Sequence, residues 1–483
     1  MTINTCVKSG GYFIPPSSPH LKTIKRRYRC NNPAYAQAQA LLKKHRYVEI
    51  PDPHVFACQT IPFWHKWGGG LMIPRGIDLS QYGDLHHVSA TSTGLSRSYT
   101  FREGIELRDY QKDSINKWQQ AGCEGIIVAP CGAGKTMMGL GAMQICNEKT
   151  IVLVHTSDLA VQWKERIADQ LTTYTDCILV PTGDDIKVTM YGNGKKDDTG
   201  DIVIASFQTL ARMRFDDLLE FGKQFGLCIV DEAHHVPAST FSAVMFGMPA
   251  RARLALTATP DRPDGLSEIM YWHFGAAVKE IHTTDMIKSG NVLAPVVQFY
   301  ATQWSPKNQK ADWQKWITEM VKDEDRNERI EDLVKRFVDE GRQVLVLSNR
   351  VKHCQEMAER MADQGVSSAT LVGSMSKKQR QEVLELADAR EIKAVFATTV
   401  ADEGLDLPGL DTLILTTPTK SMGRIQQRIG RIMRRADNKK TPLVIDCVDT
   451  FGPLFGMHHR RSSFYNRLGC DVRKVSRVVP NEL

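Results

Sequence analysis

From about Ile126 onward the chain alternates between short apolar runs and longer stretches whose apolar positions recur three and four residues apart. Gly125–Ala129, Ile151–His155, Ile202–Ala205, Leu227–Val230 and Leu254–Leu256 predict buried strands. Val344–Leu347, Ala369–Leu371, Ala394–Ala397, Thr412–Leu415 and Leu443–Asp446 predict a second series. Between them, Leu159–Leu171, Asn327–Asp339 and Lys352–Asp363 read as helices with one apolar face. Strands that alternate with helices build parallel sheets through βαβ units, because helices then cover both sheet faces. Two such series, joined near Leu293–Pro295, predict two α/β domains over 105–293 and 294–483.

Residues 1–104 break this rhythm. Extended stretches near Tyr12–Ile14, Tyr47–Ile50 and Gly70–Ile73 flank a predicted helix from Pro33 to Lys44. Pro15, Pro16 and Pro19 read as a tail, and Ser89–Ser98 as a linker. The expectation is a small α/β module ahead of the two larger domains.

Charge sharpens that division. The chain carries 62 Lys/Arg against 55 Asp/Glu, a net of +7, but residues 1–104 hold 13 against 5 and residues 420–483 hold 14 against 5. Two basic ends therefore flank an acidic middle. Such ends suit a polyanion, either nucleic acid or an anionic membrane surface, and scattered solvated lysines would look the same. No stretch approaches the ~18 apolar residues of a membrane span, and Met1–Gly10 lacks the apolar core of a signal peptide. The eleven cysteines are dispersed without a Cys-x-x-Cys pair, which argues against zinc fingers and disulfide scaffolds. A soluble cytoplasmic protein with no membrane partner is expected.

The chemistry concentrates in two segments. Ala129-Pro130-Cys131-Gly132-Ala133-Gly134-Lys135-Thr136 follows a predicted strand and precedes an amphipathic stretch from Met137 to Asn147. Glycines let backbone N–H groups approach phosphate oxygens, assisted by the positive end of the next helix. Lys135 is placed to reach the β- and γ-phosphates of ATP, and the Thr136 hydroxyl to ligate Mg²⁺. Ala129 stands where the general pattern has Gly. The second segment is Leu227–Val230 followed by Asp231-Glu232-Ala233-His234, an apolar strand that delivers Asp231 to the metal and Glu232 to the attacking water. An Asp-Glu pair after a strand is by itself more often a helix cap; the upstream lysine loop is what favours catalysis.

On these residues the chain resembles a superfamily 2 helicase of the DEAH-box type. Leu107-Arg108-Asp109-Tyr110-Gln111 is similar to the adenine-reading segment, with Gln111 as base reader and Arg108 beside it. Ile151–Trp163 and Ile204–Leu210, the latter including Ser206 and Gln208, resemble backbone-contacting segments. Leu256–Pro260 is similar to the Thr-Ala-Thr segment that couples ATP state to nucleic-acid grip, and Asp261–Leu266 resembles the XPB-like and phage branch-migration branch. His234 is implied to bridge the nucleotide side to Thr257–Thr259. In the second domain, Ala401–Pro408 resembles the motif in which Gly404 and Asp406 help close the nucleotide site. Gln427–Arg434 resembles the arginine-finger motif. Gln427, Arg431 and Arg434, at i, i+4 and i+7, are expected on one helix face. Such guanidinium groups contribute roughly 10³–10⁵-fold in rate. Ser206 stands where Thr is usual, and His235 is an added histidine. The resemblance implies two tandem RecA-like parallel-sheet domains and a small N-terminal α/β DNA-binding module.

The cofactors implied are ATP and Mg²⁺, and the partner is single-stranded, forked or branched DNA; nothing identifies a protein partner. Lys25, Arg26, Arg27, Arg29 and Lys66 are the candidate phosphate contacts of the first basic end. Phe63–Trp67 fits either base stacking or a small core. Arg460-Arg461 through Arg467 and Arg473-Lys474 either flank the same track or form a solvated helix face. The leading expectation is an ATP-dependent, 3′→5′ DNA helicase or translocase acting in replication, recombination or repair, of bacterial or phage type. The alternatives are a double-stranded DNA translocase subunit of a nuclease or restriction complex, an RNA helicase, and a nucleotide-gated binding module.

Overall fold

A computed structural model of the chain describes residues 6–7, 11–14, 18, 21–27, 29–31, 60–62, 65–67, 70–75, 87–88, 98–174, 186–192, 194–235, 238–258, 267–398, 407, 409–419, 421–436, 439–449 and 451–473. They fall into two compact units: residues 1–129 with 134–280, and residues 281–483 with the four-residue segment 130–133.

The first unit is built on an eight-stranded sheet. From edge to edge it runs Lys195–Lys196, Val188–Gly192, Ile202–Ser206, Thr150–Val154, Leu227–Asp231, Ala252–Thr257, Glu124–Val128 and Ala277–Glu280. Neighbours are parallel except Lys195–Lys196, which turns back on Val188–Gly192. The central strands are apolar at successive positions because helices cover both faces, and Ile126, Ile151, Leu153, Val203 and Val230 are fully buried. Helix Lys135–Cys146 follows the strand Glu124–Val128, and helix Ser157–Gln170 follows Thr150–Val154. Thr156 starts the second of these by accepting the Leu159 N–H on its hydroxyl, so it begins two residues before the periodicity indicates.

The second unit carries a seven-stranded, all-parallel sheet in the order Ser368–Leu371, Ala394–Ala397, Val344–Leu347, Thr412–Leu415, Leu443–Val448, Val296–Ala301 and Asp471–Arg473. Helix Glu324–Asp339 also starts early, because Asp323 caps it by accepting the Arg326 N–H and the acidic Glu324 and Asp325 suit its first turn. Helix Gly452–Arg467 is anchored from below. Asp446 accepts a two-pronged ion pair from Arg461 at 2.7 and 2.8 Å and a hydrogen bond from Tyr465 at 2.7 Å, all buried. Arg461 is therefore a structural cation and not part of a basic surface. Each unit is a RecA-like α/β domain.

The N-terminal pieces belong to the first unit. Gly11–Ile14, Gly70–Pro74 and His65–Trp67 form an antiparallel sheet, and Leu21–Arg27 is a short helix. Buried Arg75 ties them down: it donates to Glu124 at 2.6 Å and to the carbonyls of Ala250 and Arg251 at 2.6 and 2.8 Å. The expected helix Pro33–Lys44 and strand Tyr47–Ile50 lie outside the described residues. Among the described residues, no helix is long and apolar enough to cross a membrane.

Candidate nucleotide site

The sheet order sets the site. The strand before the glycine loop and the strand ending at Asp231 are separated by Ala252–Thr257 alone, so their C-terminal ends lie side by side, where open α/β sheets bind ligands. The loop closes on itself through the Ala133 N–H bonded to the Pro130 carbonyl at 3.1 Å, with Cys131 and Gly132 between them. Gly134 then starts helix Lys135–Cys146 in the left-handed region, at φ 73°. That backbone conformation strains any L side chain, so glycine suits the position. Gln111 accepts the Arg108 N–H on Oε1 at 2.9 Å, which closes the first turn of helix Asp109–Gln120.

Charge meets charge at the strand ends. Lys135 Nζ lies 3.0 Å from Glu232 Oε1, both side chains largely buried. Glu232 reaches it from a strained backbone, φ 48°, which turns the chain sharply after the strand. Asp231 is held on both oxygens: Oδ1 accepts the Glu232 N–H at 2.9 Å and Oδ2 accepts the Trp163 indole N–H at 2.8 Å. Burial first, then the Glu232 charge, push the Asp231 carboxyl above its ordinary range, and Lys135 and Trp163 pull it back. His234 Nδ1 stands 2.7 Å from Thr257 Oγ1 and 3.5 Å from Glu232 Oε2, the bridge from acidic pair to Thr-Ala segment that the resemblance implies.

These residues fit Mg²⁺–ATP. A loop with two glycines at positive φ, a helix N-terminus and a lysine suit phosphates, and a buried carboxyl kept high by its surroundings gains from a divalent cation beside it. Thr136, in the first helical turn, and Asp231 would be the oxygen donors; two protein ligands suffice for Mg²⁺, which takes its other ligands from water and phosphate.

Elsewhere the outcome is mixed. Ser206 caps the short helix Phe207–Leu210 by accepting the Thr209 N–H, and Gln208 donates to the His155 carbonyl at 2.9 Å, linking the two segments expected to face nucleic acid. In the second unit, Gln427 is buried and Arg431 half-buried on helix Met422–Ile432. Arg434 is not on that helix, contrary to the i, i+7 expectation. After the C-cap at Met433 the sequence Arg434-Arg435-Ala436-Asp437-Asn438 offers no large apolar side chain to bury, and the chain turns away. The Arg434 carbonyl accepts Lys439 Nζ at 2.8 Å. Gly404, Asp406 and Thr259–Leu266 lie outside the described residues, as do the side chains of Arg26, Arg29 and Lys66. Lys25 is half-buried and Arg27 exposed on the helix Leu21–Arg27. Sequence reasoning missed Trp163 as a partner of Asp231; a tryptophan on an apolar helix face reads as core.

The chain is similar to known helicases and translocases. Residues 104–262 match the family model "Type III restriction enzyme, res subunit", and residues 325–436 match "Helicase conserved C-terminal domain". The DNA 3′-5′ translocase XPB2 of Sulfurisphaera tokodaii is 27% identical over 404 residues, 74% of this chain and 85% of that protein. A protein of Acanthamoeba polyphaga mimivirus that carries an ATP-dependent RNA helicase name is 27% identical over 439 residues, 87% of this chain and 79% of that one. The solved structure of the helicase MrfA bound to DNA superposes with a TM-score of 0.56 at 17% identity, over 80% of this chain and 53% of that chain. With two RecA-like units and these two family models matched in this order, the chain is similar to the superfamily 2 helicases.

Proposed function

We propose that this helicase hydrolyses ATP to move along or separate DNA with 3′→5′ polarity, on forked or branched substrates in replication, recombination or repair. The observation that carries the reading is the Lys135–Glu232 pair at 3.0 Å beside the doubly bonded Asp231, at the C-terminal edge of a parallel sheet. When bound, ATP supplies the phosphoanhydride and Mg²⁺ neutralises its phosphate charge. Lys135 would leave Glu232 for the phosphates, Asp231 and Thr136 would hold the cation, and the freed Glu232 carboxylate would orient the attacking water and take its proton. His234 passes the change at Glu232 to Thr257. Arg431 and Arg434 are the groups proposed to neutralise charge on the transferred phosphoryl, with Gln427 as a neutral hydrogen-bonding partner. Arg108 and Gln111 are assigned to the adenine.

DNA is favoured over RNA by the XPB-like form of Asp261–Leu266 and by the DNA translocase name of the archaeal relative. The string Asp231-Glu232-Ala233-His234 supports the DEAH-box subtype. In this reading residues 1–104 are an accessory DNA-binding module beside domains 105–293 and 294–483. A phage or bacterial cytoplasm is the proposed location.

Strand displacement on 3′-tailed, 5′-tailed, forked and four-way DNA, with Lys135→Ala as control, tests it. Displacement of 3′-tailed or branched substrates that Lys135→Ala abolishes is expected. ATP hydrolysis without displacement on any of them contradicts unwinding, and displacement of RNA duplexes alone contradicts the choice of DNA.

A further inference from the structure

We infer that Trp163 is a positioning residue of the nucleotide site: its indole N–H fixes the plane of the Asp231 carboxylate so that both oxygens keep a lone pair directed at the cation. The inference rests on the ATP-site reading above and assigns a role to a residue outside the loop and the acidic string.

The geometry is specific. Trp163 is 1% exposed, and its Nε1 lies 2.8 Å from Asp231 Oδ2, across 68 residues of sequence. The other oxygen, Oδ1, accepts the Glu232 N–H at 2.9 Å. One donor per oxygen locks rotation about the Cβ–Cγ bond, a torsion that is otherwise broad. Each carboxylate oxygen has further acceptor capacity, so neither bond consumes what a metal ion needs.

The indole is itself held rigidly. It lies across helix Lys135–Cys146 at Gly139, where an added Cβ would come within 2.4 Å of Trp163 Cη2 and a Leu256 methyl lies close by. Ala160, Trp163 and Ile167 form the buried stripe of helix Ser157–Gln170, so the ring rides on a helix with its own core contacts. Tryptophan combines this apolar body with one N–H that must find an acceptor when buried. The glycine loop's helix, the strand ending at Asp231 and the helix in which the first expected nucleic-acid segment ends therefore meet at one side chain. Metal-binding carboxylates are commonly oriented in this way by a surrounding hydrogen bond, and losing it typically weakens the metal by about 10–100-fold.

A ring that only fills space would act differently from one that orients a ligand, and the test separates them. The full chain and Trp163→Phe, which keeps an aromatic ring over Gly139 and removes the donor, are titrated with a fluorescent ADP analogue in Mg²⁺ and in EDTA. The expected result is a gain in affinity from Mg²⁺ that is about tenfold smaller in Trp163→Phe, with affinity in EDTA unchanged. Equal weakening in both media, or no change in either, overturns the inference. A parent chain that gains nothing from Mg²⁺ overturns the ATP-site reading beneath it. A second measurement needs no change at Trp163: in the chain with ¹⁵N-labelled tryptophan, one indole N–H resonance is expected to move on adding Mg²⁺–ADP, to stay on adding ADP in EDTA, and to be displaced in Asp231→Asn. No movement of any of the eight tryptophan resonances in either case overturns it.

Discussion

Glu232 and Lys135 hold each other at 3.0 Å, so the nucleotide must compete with a carboxylate for its lysine. Two opposite effects of one substitution follow. Glu232→Gln removes the general base, which is worth roughly 10²–10⁴-fold, and hydrolysis is expected to fall by about that factor. The same change frees Lys135 from an anionic partner, so ATP affinity measured by equilibrium binding is expected to rise several-fold. A variant that binds ATP more weakly than the parent would show that the ion pair is not what the phosphates displace. At Gly139 two terms also oppose each other. Alanine gains ~1 kcal/mol in helix propensity, but its methyl would meet the Trp163 ring at 2.4 Å, and overpacking costs typically ~1–3 kcal/mol. Overpacking is expected to win, so Gly139→Ala should unfold at lower denaturant than the parent.

At the scale of elements, buried polar groups do the anchoring. Arg461 and Asp446 are both nearly inaccessible, so Arg461→Ala leaves a buried carboxylate beside Tyr465 and is expected to cost about 3–5 kcal/mol in chemical denaturation. His353 donates or accepts between Ser348 at 2.9 Å and Asn327 at 3.0 Å, and burial, then the Arg326 and Arg360 charges, lower its pKa to about 3. The unfolded chain holds this proton near 6.5. Its contribution is therefore complete above 6.5 and is lost as pH falls toward about 3, with a slope of up to ~1.4 kcal/mol per pH unit. Thermal melts from pH 7 to 4 are expected to fall less steeply for His353→Gln than for the parent; parallel curves would contradict the assignment.

The same scale shows what the sequence disclosed. Central strands such as Leu227–Asp231 were legible because burial on both faces leaves an unbroken apolar run. Val188–Gly192 and Ala277–Glu280, at or next to the sheet edges, were missed: half-exposed strands mix Thr, Lys and Glu with apolar residues. The glycine loop and acidic string were legible because phosphate chemistry ties residue types to fixed local spacing. Trp163 was not, since its partner lies on another strand and only the fold brings them together. The arginine motif was half legible. Spacing indicated the face of Gln427 and Arg431, but the helix ends at Ile432, one residue before the C-cap Met433, and does not reach Arg434.

For the whole molecule, the uneven charge acquires a partial explanation. Part of the C-terminal excess is internal, since Arg461 is paired and buried and Arg428 lies on the buried side of its helix. In residues 1–104 Arg75 is internal, and removing those residues is expected to weaken DNA binding and flatten its salt dependence. The central claim is that Lys135 and the Asp231–Glu232 pair form an ATPase driven by nucleic acid. It is tested most directly by steady-state ATP hydrolysis of the full chain with and without single-stranded DNA, beside Lys135→Ala. Hydrolysis that DNA stimulates and Lys135→Ala abolishes is the expected result; hydrolysis no faster than that of Lys135→Ala, with DNA present, would contradict it.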